Sequence, residues 1–218
     1  MWSVSESESP RTEWPQSPPP PWPASVRATI WWHRATDEGR ALLPQKDLPV
    51  TMAMVVDYLD SPVGPYREIL ASPVLRRPGK LIGAMPRMAV PFIAVDSETS
   101  VHGGRTHWNL PEVLAHFGGD VLGTSTASGD GWTVDVAARA VGPRFPIRGG
   151  LGFAQPVDEE VSLAGASLKG KARLCRVQVD ATGPSLGDWL RPGSHFGLQI
   201  VSGTMSTGAS RLVGDIEV

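Results

Sequence analysis

The sixteen residues from His102 to Phe117, H-G-G-R-T-H-W-N-L-P-E-V-L-A-H-F, gather three histidines, Arg105, Trp108 and Glu112. Arg105 carries a planar fork of donors that suits a carboxylate and equally suits the carbonyls of its own loop. Glu112 is a candidate acid or base, with solvent exposure or pairing with Arg105 as its structural alternative. The histidines stand five and nine residues apart, and no H-x-x-x-H, H-E-x-x-H or cysteine pair accompanies them. Neither a metal nor another cofactor is therefore expected. An amine nucleophile must come from four lysines, set against sixteen arginines, or from the N-terminus. Lys46 and Lys80 lie in turns flanked by proline or glycine, and Lys169 and Lys171 flank Gly170, so none is expected to be desolvated. Gly123-Thr124-Ser125-Thr126-Ala127 runs on into a hairpin and lacks the strand, strained turn and helix of a nucleophile elbow. Gly149-Gly150-Leu151-Gly152 lacks the spacing and the following helix of a dinucleotide site.

The elements around these residues must position them. Asp96-Ser97-Glu98 predicts a short helix ending near His102, where Gly103 and Gly104 stop it and open a tight turn at positive φ. Pro111 biases Leu110 away from helix, and a strand is expected from Leu110 onward. Val26 to Trp32 alternates as a strand with Val26, Ala28 and Ile30 on one face, which sends Trp31 and Trp32 to opposite faces. Val50, Met52, Met54 and Val56 share a face of the next strand. Tyr66 to Leu75 follows, then Leu81 to Val95, broken by Pro86 and Pro91. Ser128-Gly129-Asp130-Gly131 predicts a hairpin turn before Trp132 to Val141. Pro143 to Pro156 is expected to be irregular, Lys169 to Lys171 to form an exposed turn or bulge, and short helices are expected at Asp37 to Leu43 and Ser185 to Leu190. Many short strands with few helical periods define a mostly β, β-dominant α+β class.

With 218 residues the chain fits one domain, residues 25–218, preceded by a disordered Pro/Ser-rich tail over residues 1–24. The net charge is −2, and no basic cluster exceeds Arg76-Arg77, so nucleic acid is not an expected partner. No apolar run approaches the roughly 20 residues of a spanning helix, and the N-terminus lacks a secretory pattern. The single Cys175 can form no internal disulfide. A soluble, cytoplasmic protein without membrane partners follows as the expectation.

Gly104, Arg105, Trp108 and Pro111 fall in register with the G-R-x-x-W-x-x-P-K segment of the acetoacetate decarboxylase superfamily, which the chain resembles. In that family the lysine after the proline forms a Schiff base with a β-keto acid, and a second lysine beside it lowers its pKa. Here those positions hold Glu112 and Val113, and a carboxylate cannot condense with a ketone. Gly64-Pro65-Tyr66-Arg67-Glu68 is similar to the family's G-P-Y-x-E segment, whose glutamate lines the pocket. Pro20-Pro21-Trp22 and the strand after it are similar to the first elements of bacterial members. A carboxylate-binding arginine in that region corresponds to Arg27 or Arg34.

The resemblance covers about residues 20 to 212. It implies a mostly antiparallel barrel or cone with a few short helices and an internal, largely apolar pocket. Glu68 and Glu112 are then the catalytic pair, in a cavity where desolvation and repulsion raise a carboxyl pKa towards neutrality. Arg27, Arg105, Tyr66 and Trp108 are the implied substrate-binding residues. A small-molecule carboxylate, a keto or enol acid, is the implied ligand, and homo-oligomers are common in the family. Lysine-independent acid/base chemistry of lyase or isomerase type leads. A non-catalytic binding protein on the same barrel is the rival, and decarboxylation through a displaced lysine ranks third.

Overall fold

A computed structural model describes residues 14–41, 49–75, 87–157, 160–183 and 189–213. In chain order the elements are β1 (Trp22–Arg34), α1 (Asp37–Ala41), β2 (Val50–Asp60), β3 (Tyr66–Leu75), β4 (Arg87–Met88), β5 (Phe92–Val95) and α2 (Glu98–Trp108). There follow β6 (Glu112–Leu114), β7 (His116–Gly119), β8 (Thr124–Gly129), β9 (Trp132–Val157), β10 (Glu160–Thr182), β11 (Gly193–Thr207) and β12 (Arg211–Val213). The fold is mostly β. Among the described residues no helix is long and apolar enough to cross a membrane.

Among the described residues one twelve-stranded sheet contains every strand, its main path in the order β12-β10-β11-β1-β2-β3-β4-β9-β8-β7. β9 also pairs with β10, so the pairings run from β10 round through β1 and β4 and back to β10. The ladders are antiparallel except for two short parallel pairs, β4 with β9 and β5 with β6, which makes the sheet mixed rather than purely antiparallel. β5 branches off β3, with Glu68 opposite Val95, and β6 lies beside it with Glu112 opposite Ile93. This branch sets the two glutamates on neighbouring parts of one sheet.

Period-two alternation divides the apolar residues between two cores. Val26, Ala28 and Ile30 of β1 join Met52, Met54, Val56 and Tyr58 of β2 in one cluster. Trp31, Ala53, Val55 and Ile69 belong to the other. The adjacent tryptophans separate as expected, Trp31 at 0% exposure and Trp32 at 38%.

Two expectations change. α2 does not stop at His102 but runs through both glycines to Trp108, capped by the Ser97 side chain at its start and by left-handed Asn109, φ 53°, at its end. Space explains the glycines: a Cβ on Gly103 would lie 2.1 Å from the Trp22 ring, and one on Gly104 would lie 2.1 Å from a Glu112 carboxylate oxygen. The glycine- and proline-rich stretch 143–156 is not irregular. It continues β9 past a bend at Gly142, φ 82°, and pairs with β10 in register from Phe145 opposite Ala172 to Val157 opposite Glu160. Lys169 and Lys171 are exposed and lie inside β10, with a register shift just after Lys171 that accords with the bulge expected there.

Residues assigned by composition to the tail also pack on the body. Trp22 is buried and opens β1, and its Nε1 donates to the Pro18 carbonyl at 2.8 Å. Ser17 Oγ lies 2.9 Å from His102 Nδ1 and 3.0 Å from His107 Nε2, which fastens this segment to α2. α1 and the hairpin at Gly131 lie where the sequence places them. Much of the expected Leu81 to Val95 strand and of the Ser185 to Leu190 helix lies outside the described residues, as do Lys46 and Lys80.

Candidate active-site pocket

β3 and β6 bring two carboxyl groups to one cavity. Glu68 comes from β3, on the same face as Tyr66 and Leu70, and Glu112 is the first residue of β6. Both line a cavity of about 70 Å³. That is several times the roughly 10–15 Å³ needed to hold one water, so the cavity has room for a small ligand. Met54, Leu70, Met88, Val90 and Ile93 give it an apolar wall, and Trp22, Trp108 and Leu110 contribute another side. Leu151 and Phe153 close it from β9. Gln155 braces that side, donating to the Val90 carbonyl at 2.9 Å and accepting from the Val90 N–H at 2.8 Å.

Glu68 and Glu112 are 6% and 3% exposed. Tyr58 donates to Glu68 at 3.4 Å from either carboxyl oxygen, and its ring stacks on Tyr66 with centroids 4.2 Å apart. Ser100 Oγ, on α2, donates to Glu112 at 3.4 Å. These are long hydrogen bonds, so they offset little of the cost of removing a carboxylate from water. Burial pushes Glu68 up to about 7, against which the Tyr58 hydrogen bond acts weakly. Burial, and next the charge of Glu68, raise Glu112 well above the usual carboxyl range, with Ser100 and Arg105 opposing. Tyr58 and Tyr66 are raised by burial and then by Glu68, so both remain neutral hydroxyls. Two buried acids, both raised by burial, thus share one cavity.

The arginines are elsewhere. Arg27 alternates with Val26 and Ala28, so it points to the far face of β1, where it pairs with Asp57 and approaches Asp120 at 3.7 Å. This corrects its implied place at the ligand, and exposed Arg34 does not line the cavity either. Arg105 donates from Nε to the Glu112 backbone carbonyl at 2.8 Å and lies 5.2 Å from the centre of the Trp14 ring. It ties the chain at Glu112 and does not line the cavity. Tyr66 and Trp108 do line it; Trp108 is held in place by Nε1 donating to the Gly208 carbonyl at 2.8 Å. Lys169 and Lys171 are exposed on β10. Among the described residues no group of three or more His, Cys, Asp or Glu side chains is placed to hold a metal ion. Sequence reasoning missed Tyr58 and Ser100. Tyr58 continues the Met52, Met54, Val56 alternation by one more step, which was a usable signal; Ser100 had none.

A mostly β chain built on one mixed sheet defines the class. The fold is that of acetoacetate decarboxylase. One acetoacetate decarboxylase structure aligns with a TM-score of 0.68 over 98% of this chain and 97% of the other, at 14% sequence identity. The enduracididine biosynthesis enzyme MppR complexed with pyruvate aligns at 0.62 over 97% of both chains, with 15% identity. Acetoacetate decarboxylase from Legionella pneumophila aligns at 0.61 over 98% of this chain and 95% of the other, with 14% identity. No protein-family model and no curated protein matches the sequence.

Proposed function

We propose that the pocket performs lysine-independent proton transfer on a small enolisable carbonyl compound, of lyase or isomerase type. The observation that carries this reading is the buried acid pair: Glu68 and Glu112 line one cavity at 6% and 3% exposure, and burial raises both carboxyls, Glu68 to about 7. Glu68 as carboxylate takes the proton from the carbon next to the ligand carbonyl. The C–H electron pair becomes the enol double bond, and the carbonyl oxygen gains negative charge that the Glu112 O–H stabilises by donating to it. Return of the proton to the same or another carbon completes the cycle. A carboxylic acid kept neutral by burial and a second carboxylate acting as base suit this division of labour. Pyruvate in a structure of the same fold supports a small carbonyl ligand. The two exposed lysines of β10 lend no support to a Schiff base.

The test is exchange of the ligand's α-hydrogens for solvent deuterium, followed by NMR with pyruvate and simple ketones. Catalysed exchange should exceed the buffer rate by about 10²–10⁴-fold and should collapse in Glu68→Gln. Binding with exchange at the buffer rate would favour the rival, a non-catalytic small-molecule binding protein, and end the enzymatic reading.

A further inference from the structure

We propose that the pocket admits its ligand as an uncharged carbonyl compound, such as a ketone or a 1,3-dione, and discriminates against carboxylates. The inference rests on the acid–base reading of the same site and supplies its substrate class. Its basis is the set of groups that face the cavity. Glu68, Glu112, Tyr58 and Tyr66 are the titratable side chains there, and none of the described arginines or lysines lines it. Each described cation that the sequence suggests for a ligand carboxylate is engaged or turned away. Arg27 is paired with Asp57 on the other face of β1. Arg105 is committed to the Glu112 carbonyl and the Trp14 ring.

An anion entering this space loses its hydration and gains no compensating charge from the described residues. It also meets Glu68, which is increasingly ionised above pH 7. A neutral ketone of the same shape avoids both costs. It still uses what the pocket offers: an apolar wall for its alkyl groups and neutral O–H donors for its oxygen. Rejection by like charge is an economical route to specificity when two ligands differ in little else.

The charge preference must follow the protonation of the pair. Arg105 is the cation that acts on Glu112, and weakly; Tyr58, Tyr66 and Glu112 surround Glu68. An anion can enter only as the pocket takes up a proton, so its affinity rises as pH falls, whereas that of a neutral ligand does not need this step.

Pentane-2,4-dione and acetoacetate separate the cases, since a methyl group in one stands where the other has a carboxylate oxygen and the two have the same number of heavy atoms. Titration calorimetry on the full chain should find the dione bound at least about tenfold more tightly at pH 8, with the gap narrowing at pH 6. Glu68→Gln should narrow the gap at pH 8 by removing the repelling charge. Equal or tighter binding of acetoacetate at pH 8 would overturn the proposal, and so would failure of both compounds to bind. Tight dione binding without α-hydrogen exchange would sink the acid–base reading and leave the charge preference standing, so the two failures are distinct.

Discussion

Glu68→Gln should stabilise the protein at alkaline pH and leave it almost unchanged in mild acid. Burial raises the Glu68 carboxyl from its ordinary 4.5 to about 7. Below 4.5 the carboxyl is protonated whether the chain is folded or not, and it imposes no penalty. Between 4.5 and about 7 the unfolded chain releases the proton while the folded one keeps it, so stability falls as pH rises. Above 7 the whole penalty is present. At about 1.4 kcal/mol per pKa unit, that penalty is about 3 kcal/mol. Glutamine has the same shape, carries no charge and can still accept from Tyr58. The variant should therefore exceed the wild type by about 3 kcal/mol at pH 8, and by less than about 1 kcal/mol at pH 5. For a chain of this length that is a rise of roughly 6–12 °C in Tm at pH 8. Thermal and urea melts at the two pH values measure it. A variant no more stable than wild type at pH 8 would show that Glu68 is compensated by a cation or reached by water, and the proposed base would lose its physical ground.

The two helical glycines should separate packing from chemistry. In Gly103→Ala the new methyl meets the Trp22 ring 2.1 Å away, and an overpacking cost of about 1–3 kcal/mol outweighs the helix propensity gained, about 1 kcal/mol, so the melting temperature should drop. In Gly104→Ala the methyl meets the Glu112 carboxyl, which can swing into the cavity; the melt should change little while α-hydrogen exchange falls at least about tenfold. Equal effects in both assays would refute this division. Borohydride reduction in the presence of acetoacetate or pyruvate should add no substrate mass to the intact protein, because a Schiff base needs a desolvated lysine and Lys169 and Lys171 are exposed. A stable adduct mapped to any lysine would replace the lysine-independent mechanism with a decarboxylase-like one.

Local pattern carried the strands because burial on a sheet follows a period of two, and that period is written in consecutive residues. Val26, Ala28, Ile30 and Met52, Met54, Val56 could be sorted to one core without knowing what they touch. The helix end failed for the opposite reason. Gly103 and Gly104 read locally as a stop, yet they sit inside α2 because Trp22 and Glu112, both distant or across a turn in sequence, need the volume a side chain would occupy. The same held for Leu151 and Phe153. Their glycine- and proline-rich surroundings suggested a loop, while long pairing with β10 makes them strand and pocket wall.

The charge of the site shows the limit most sharply. Motif register led to both glutamates, and the structure brings them to one cavity. The same resemblance offered Arg27 or Arg34 for a ligand carboxylate. Alternation along β1 already opposed Arg27, since a residue between Val26 and Ala28 cannot share their face. Where a motif and a strand period disagree over a side chain's direction, the period is the stronger physical constraint. Moving one residue across the sheet changes the pocket from a site balanced for a carboxylate into one whose titratable groups, among the described residues, are acids.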